Sequence, residues 1–208
     1  MTDLFATITA SDNVACKSVQ KRLAVQRPSA EVGTRANAAS DFSPSDEAPK
    51  TDVAVCNLNI LAIDIGTTTG WALGMRDGAL HSGSESFAPR RNDGPGQRWL
   101  KFSAWLGERA RQAGEIHVVY YEKVRRHAGT TAAHVYGGFE AHLEAWADRN
   151  RIRLVGVQVQ AIKKAATGDH RASKDAMIAA MRARGHRVID DNHADALALL
   201  EHARKEEA

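Results

Sequence analysis

Ile60-Leu61-Ala62-Ile63-Asp64-Ile65-Gly66-Thr67-Thr68-Thr69-Gly70-Trp71-Ala72 decides how this chain is to be read. Four apolar residues run into a carboxylate, and the small residues after it let the chain reverse. That pattern is a buried strand with one acid at its end, followed by a hairpin. A carboxylate in that position is costly to bury unless a charge or a hydrogen bond meets it. Two partners would serve: a divalent metal ion, or the phosphates of a nucleotide.

Working outward, the first strand runs over Leu58 to Asp64. Gly70 to Met75 and Leu80 to Phe87 predict two more strands, joined by the turn Arg76-Asp77-Gly78. Gly94-Pro95-Gly96 then breaks the chain before an amphipathic helix over Gln97 to Ala113, which Gly114 ends. Its buried side is expected to carry Trp99, Leu100, Phe102, Ala104, Trp105, Leu106 and Ala110. Ile116 to Glu122 reads as a fourth strand, again delivering a carboxylate at its end. A helix over Thr130 to Arg149, a fifth strand over Ile152 to Val159, and helices over Gln160–Ala166, Ala172–Arg184 and Asn192–Lys205 complete the pattern. Strands separated by helices imply parallel pairing and right-handed crossovers. The expected architecture is α/β, a mixed five-stranded sheet with helices on both faces.

Residues 1–55 differ in kind. They are rich in Ala, Ser, Thr, Asp and Pro, with Phe5 and Phe42 as their only aromatics, and Ser40 to Lys50 has the composition of a solvated linker. They are expected to form a disordered tail, with at most a short helix near Val19 to Val25, ahead of one folded domain over 56–208. Of the overall charge of +3, residues 1–57 hold six Lys/Arg against seven Asp/Glu, which leaves +4 for the remainder. Such an excess is compatible with nucleic acid without requiring it. No apolar run approaches the ~20 residues that span a bilayer, and no secretory leader pattern opens the chain. The two cysteines, Cys16 and Cys56, form neither a metal-ligand motif nor a disulfide framework, so a cytoplasmic setting is expected.

The acids form a constellation. Asp64 closes the first strand, Glu122 closes the fourth, and the last helix opens with Asp190-Asp191-Asn192-His193-Ala194-Asp195. Asp191, Asn192 and Asp195 share one helical face. Each acid alone has a plainer use, as a turn cap, a surface strand end or a helix N-cap. Together, carboxylates sharing one pocket repel one another and call for cations. Oxygen-only ligation suits two Mg²⁺ or Mn²⁺ ions about 4 Å apart.

Four pieces of this chain, in this order, resemble the RuvC-like Holliday junction resolvases of the ribonuclease-H-like nucleases, particularly their phage and prophage relatives. They are Ile63-Asp64-Ile65-Gly66 with Gly70-Trp71-Ala72, Tyr121-Glu122, Ile162-Lys163 through Thr167-Gly168 to Arg171-Ala172-Ser173-Lys174, and Ala194-Asp195-Ala196-Leu197-Ala198. The resemblance covers about residues 58–205. It implies a homodimeric, metal-dependent endonuclease that nicks paired strands of a four-way DNA junction by phosphodiester hydrolysis. Asp64, Glu122 and Asp195 match three of the family's four metal-binding acids. Lys163 and Lys174 fall where the family has basic residues near the scissile strand. The fourth acid's position, three residues before the last, is Asn192 here, and Asp191, one residue earlier, stands as a substitute, with His193 second in preference. The family's aromatic wedge after the strand-four acid is replaced by Arg125-Arg126-His127, with Tyr136 the nearest aromatic.

The basic groups suit this reading. Arg125, Arg126 and His127 follow Glu122, and Lys163, Lys164, His170, Arg171 and Lys174 surround a glycine-containing loop, positions for phosphate contact without base reading. For Arg182, Arg184 and Arg187 the plainer alternative to phosphate contact is a solvated charged surface. A dimer would set one site on each opposed strand of a two-fold junction. Ala132, Ala133, Gly137, Gly138 and Ala141, on the Thr130–Trp146 helix, would allow close approach. Asp64-Ile65-Gly66-Thr67-Thr68-Thr69-Gly70 also resembles the phosphate loop of actin-like kinases and ATPases. That alternative needs a second similar domain and leaves Glu122 and the acidic helix unexplained. A third reading is a junction-binding protein with weak catalysis.

Overall fold

The computed structural model describes residues 57–125 and 129–208. The tail and the short helix near Val19 to Val25 lie outside the described residues, as do Arg126 and His127.

Five strands, β1 (Ile60–Asp64), β2 (Thr68–Gly74), β3 (Leu80–Ser86), β4 (Val118–Glu122) and β5 (Arg153–Val157), form one sheet in the order β3-β2-β1-β4-β5. Neighbours β1/β2 and β2/β3 are antiparallel, and β1/β4 and β4/β5 are parallel. The helices are α1 (Gln97–Ala113), α2 (Thr130–Asn150), α3 (Val159–Thr167), α4 (Lys174–Ala183) and α5 (Asp191–Glu206). The expected mixed sheet and every element expected within the described residues are present, with ends displaced by a residue or two. β5 is the most shortened, because the chain turns into α3 at Val159.

Alternation along the central strands sorts side chains onto two faces. Ile60 and Ala62 of β1, with Val118 and Tyr120 of β4, pack with Ile162, Met177, Met181, Leu197 and Leu200 of α3, α4 and α5. Leu61, Ile63, Val119 and Tyr121 point the other way, onto Phe102, Leu106, Phe139 and Leu143 of α1 and α2. Both faces of β1 are covered, which is why its sequence is continuously apolar and not alternating. Among the described residues no helix is long and apolar enough to cross a membrane.

On the α1/α2 face, aromatic rings interlock. Phe102 meets Phe139 edge-on with centroids 5.0 Å apart, and Phe87 meets Phe102 at 5.3 Å. The buried stripe of α1 is Phe102, Trp105, Leu106 and Ala113. Leu100 was expected within that stripe but is 63% exposed, and Ala104 is also exposed. Each lies two residues from Phe102, about 200° around the helix, hence on its outer side.

The β2–β3 turn forms where expected. Gly78 adopts φ +91° and donates its N–H to the Met75 carbonyl at 3.0 Å, while the Asp77 carboxylate accepts from Ala79 N–H at 2.9 Å.

Candidate metal centre

Strand parity sets the first two acids. Ile60, Ala62 and Asp64 alternate onto the α5 side of the sheet, and so do Val118, Tyr120 and Glu122. The parallel register pairs Ile63 with Tyr121, so Asp64 and Glu122 are level, one step further on, at the same ends of adjacent strands.

Helix α5 brings the third. It is buried on most sides, through His193, Ala194, Ala196, Leu197, Ala198, Leu199, Leu200 and Ala203, so it can be placed in one way only. Its N-terminus is fastened to the sheet by Asp190. That carboxylate accepts from the His193 backbone N–H at 2.8 Å and from the Ser84 hydroxyl of β3 at 2.7 Å. Asp190 is therefore an N-cap, the plainer of its two readings. Gly70 lets the helix come close: a Cβ there would lie 1.9 Å from the Asn192 carbonyl oxygen. The sequence placed Gly70 in the hairpin, but its second use, close backbone approach, is the usual meaning of a strand glycine.

The result is that carboxylate oxygens of Asp64, Glu122 and Asp195 all lie within 4.8 Å of one another, each residue half-buried. Among the described residues no other group of three His, Cys, Asp or Glu does this. Burial, followed by repulsion from Glu122, Asp195 and Asp191, holds the Asp64 carboxyl well above the usual range, opposed by Lys174. Burial and then Asp195 push Glu122 up to about 7. Asp195 rises to about 6, mostly by burial, with Lys163 opposing. These are groups that lack enough positive charge around them. An oxygen-only donor set with excess negative charge fits a hard divalent cation such as Mg²⁺ or Mn²⁺.

The remaining expected residues fall around this triad. Asp191 lies one turn before Asp195 and contributes to the fields at Asp64 and Asp195, but its carboxylate is paired with the Lys174 ammonium. That hydrogen bond holds the Asp191 carboxyl below its ordinary value. Asn192 is half-buried, with its backbone against Gly70. The Lys163 ammonium donates to the Ala172 carbonyl at 2.7 Å, joining α3 to the loop before α4, and its charge reaches Glu122 and Asp195. Lys164, Arg171 and Arg125 are exposed. Arg171 donates to His170 Nε2 at 3.2 Å. Arg184 is committed to Glu201 and the Ala166 carbonyl, a structural use that neither phosphate contact nor a solvated surface describes.

Two residues act differently from their expected places. Tyr136 is a buried latch: its hydroxyl donates to the Glu122 carbonyl at 2.9 Å and accepts from Val124 N–H at 3.2 Å. It thereby fixes the exit of β4, and nothing in its sequence context signals this. Gly138 was expected on an open helix face, but a Cβ there would lie 2.4 Å from the Trp99 ring. It serves the α1–α2 contact, whereas nothing stands within 4 Å of a Cβ at Gly137.

The turn after Asp64 bears on the nucleotide alternative. Thr69 is fully buried, donates its hydroxyl to the Gly66 carbonyl at 2.8 Å and accepts from Gly66 N–H at 3.3 Å. This threonine stabilises the turn itself.

No family model matches the chain, and no curated protein is similar to it in sequence. Solved structures do match. RuvC of T. thermophilus in complex with Holliday junction substrate superposes with a TM-score of 0.62 at 20% identity, covering 72% of this chain and 95% of that one. A second Thermus thermophilus RuvC structure gives 0.57 at 20% identity, over 71% of this chain and 94% of that one. The yeast mitochondrial Holliday junction resolvase Ydc2 gives 0.52 at 15% identity, over 73% and 79%. The fold is thus the RuvC type of the ribonuclease-H-like architecture.

Proposed function

We propose that this protein is a metal-dependent endonuclease that resolves four-way DNA junctions, with residues 56–208 as its nuclease domain. The observation that carries this is the convergence of Asp64, Glu122 and Asp195, from two strands and a helix, to within 4.8 Å. The fold shared with junction resolvases, one of them solved on a Holliday junction, supports the substrate class. The turn hydrogen bonds of Thr69 and the engagement of Glu122 and Asp195 in the same cluster count against the nucleotide-phosphate reading.

In this reading two Mg²⁺ or Mn²⁺ ions are held by Asp64, Glu122 and Asp195, with Asp191 or Asn192 completing the set. When bound they supply Lewis acidity, activating water and stabilising the leaving oxygen of an in-line displacement. Asp64, central in the field of the other acids, is the best placed to serve both ions. Lys163 and Lys174 offset charge that builds on the phosphate. Arg125, Arg126, Lys164 and Arg171 grip the backbone of the arms, as an enzyme selecting for structure requires. A homodimer through the exposed face of α2 around Ala132, Gly137 and Ala141 would place two sites on opposed strands. The setting is a bacterial cytoplasm, with a bacterial or phage gene as the source.

The test is to incubate the protein with labelled four-way, three-way and linear duplexes in Mg²⁺ or EDTA. Paired, symmetric nicks in the four-way substrate, only in Mg²⁺ and absent in Asp64→Asn, are expected. Tight junction binding without product would favour the weakly catalytic binder instead.

A further inference from the structure

The first residues of two helices meet across the rim of the metal centre. Lys174 opens α4, whose N-cap Ser173 accepts from Ala176 N–H at 3.2 Å, and Asp191 opens α5. Both backbones are thus fixed by capped helix ends, while the Lys174 side chain is 74% exposed and that of Asp191 is 30% exposed. Their ion pair ties up Asp191, an acid that acts on the triad without belonging to it. Asn192, next to it on α5, offers an amide oxygen that brings no charge. Lys163, the second cation nearby, donates to the Ala172 carbonyl while its charge acts on Glu122 and Asp195.

One cation bound by three carboxylates leaves Asp191 as the remaining negative charge to hold another. Building on the metal reading above, we infer that Lys174 competes with the second cation for Asp191, so that the DNA-free protein binds one divalent ion tightly and a second only weakly. An exposed ion pair is worth little and exchanges readily, which a competitor of this kind requires. A DNA phosphate at the site offers the Lys174 ammonium another anion. Its arrival releases Asp191 and couples substrate entry to loading of the second ion.

The experiment is a Mn²⁺ titration of the full, DNA-free chain, followed by the loss of the free-ion paramagnetic resonance signal, with Lys174→Met, Lys174→Arg and the double variant Lys174→Met/Asp191→Asn. Lys174→Met should tighten the second site by about two- to fivefold, the range that an exposed ion pair is worth. The first site should tighten too but by less, because Lys174 also acts on Asp64 and Asp195, which it does not pair with. Lys174→Arg should behave as the wild type, and the double variant should lose the gain. Adding a four-way junction with nuclease-resistant phosphorothioate linkages at its centre should tighten the wild-type second site by more than it tightens that of Lys174→Met. Two equally tight ions in the DNA-free wild type, or a second site indifferent to Lys174→Met, overturns the competition while leaving the nuclease reading intact. Failure of the protein to bind any ion overturns both.

Discussion

Replacing Gly70 by Ala tests how finely the metal centre depends on one backbone contact. The added methyl would sit 1.9 Å from the Asn192 carbonyl oxygen, 2.3 Å from its carbon and 2.9 Å from the His193 nitrogen, where ordinary contact begins at 3.4 Å. All three are backbone atoms of α5's first turn, so no side chain can swing aside. The first turn must retreat by about 1.5 Å, the difference between the closest of these distances and ordinary contact. Asp195 rides on the following turn and moves with it. Mg²⁺ tolerates little deviation from ligand distances near 2.1 Å, and a misplacement of about 1 Å costs on the order of 100-fold in rate. Overpacking itself should cost about 1–3 kcal/mol, which lowers Tm by roughly 3–10 °C for a domain of this size. Gly70→Ala should therefore remain folded by circular dichroism yet lose about 100-fold in junction cleavage and at least tenfold in Mn²⁺ affinity. Cleavage within about threefold of wild type, in a variant whose Tm has fallen as expected, would refute the argument that this contact sets the triad.

Other outcomes follow from the same geometry. Asp64, Glu122 at about 7 and Asp195 at about 6 all stand above their unfolded values, so the metal-free folded state binds more protons and stability falls as pH rises from about 4 through 7. His193, which burial holds below its ordinary value, works the other way below about pH 6.5; the clean comparison is with Asp64→Asn, which in EDTA should flatten the decline in Tm that runs from about pH 4 through 7. An unchanged slope in that variant would contradict the assigned repulsion. Tyr136→Phe removes both hydrogen bonds at the β4 exit; about 1–3 kcal/mol of stability and part of the Mn²⁺ affinity should go with them, and a variant with full affinity would show that Glu122 does not need the latch. Gly138→Ala should destabilise through its clash with Trp99, whereas Gly137→Ala meets nothing and should stabilise the monomer by about 0.5–1 kcal/mol. If α2 is the dimer face, Gly137→Ala weakens association in sedimentation; an unaffected dimer would move the interface elsewhere.

Much of this was legible in the sequence because its signals are local. Gly94-Pro95-Gly96 and Gly114 bracket α1 at Gln97–Ala113, as read. The apolar runs before Asp64 and Glu122 define the two central strands, and the helix between them dictates their parallel pairing. The candidate triad was legible because Asp64 and Glu122 end adjacent strands and Asp195 lies one turn into the last helix. What escaped depends on how elements dock. The close approach of Gly70 to Asn192, the Tyr136 latch and the burial of Gly138 against Trp99 link residues 12 or more positions apart. Leu100 was misplaced because composition, and not helical angle, assigned it to the core. The pairing of Asp191 with Lys174 likewise joins two helix starts that no periodicity connects.

The most direct measurement is anomalous diffraction from crystals soaked in Mn²⁺. The account predicts a peak about 2.2 Å from carboxylate oxygens of Asp64, Glu122 and Asp195 together. Saturating Mn²⁺ that leaves these three side chains without an ion between them would contradict it.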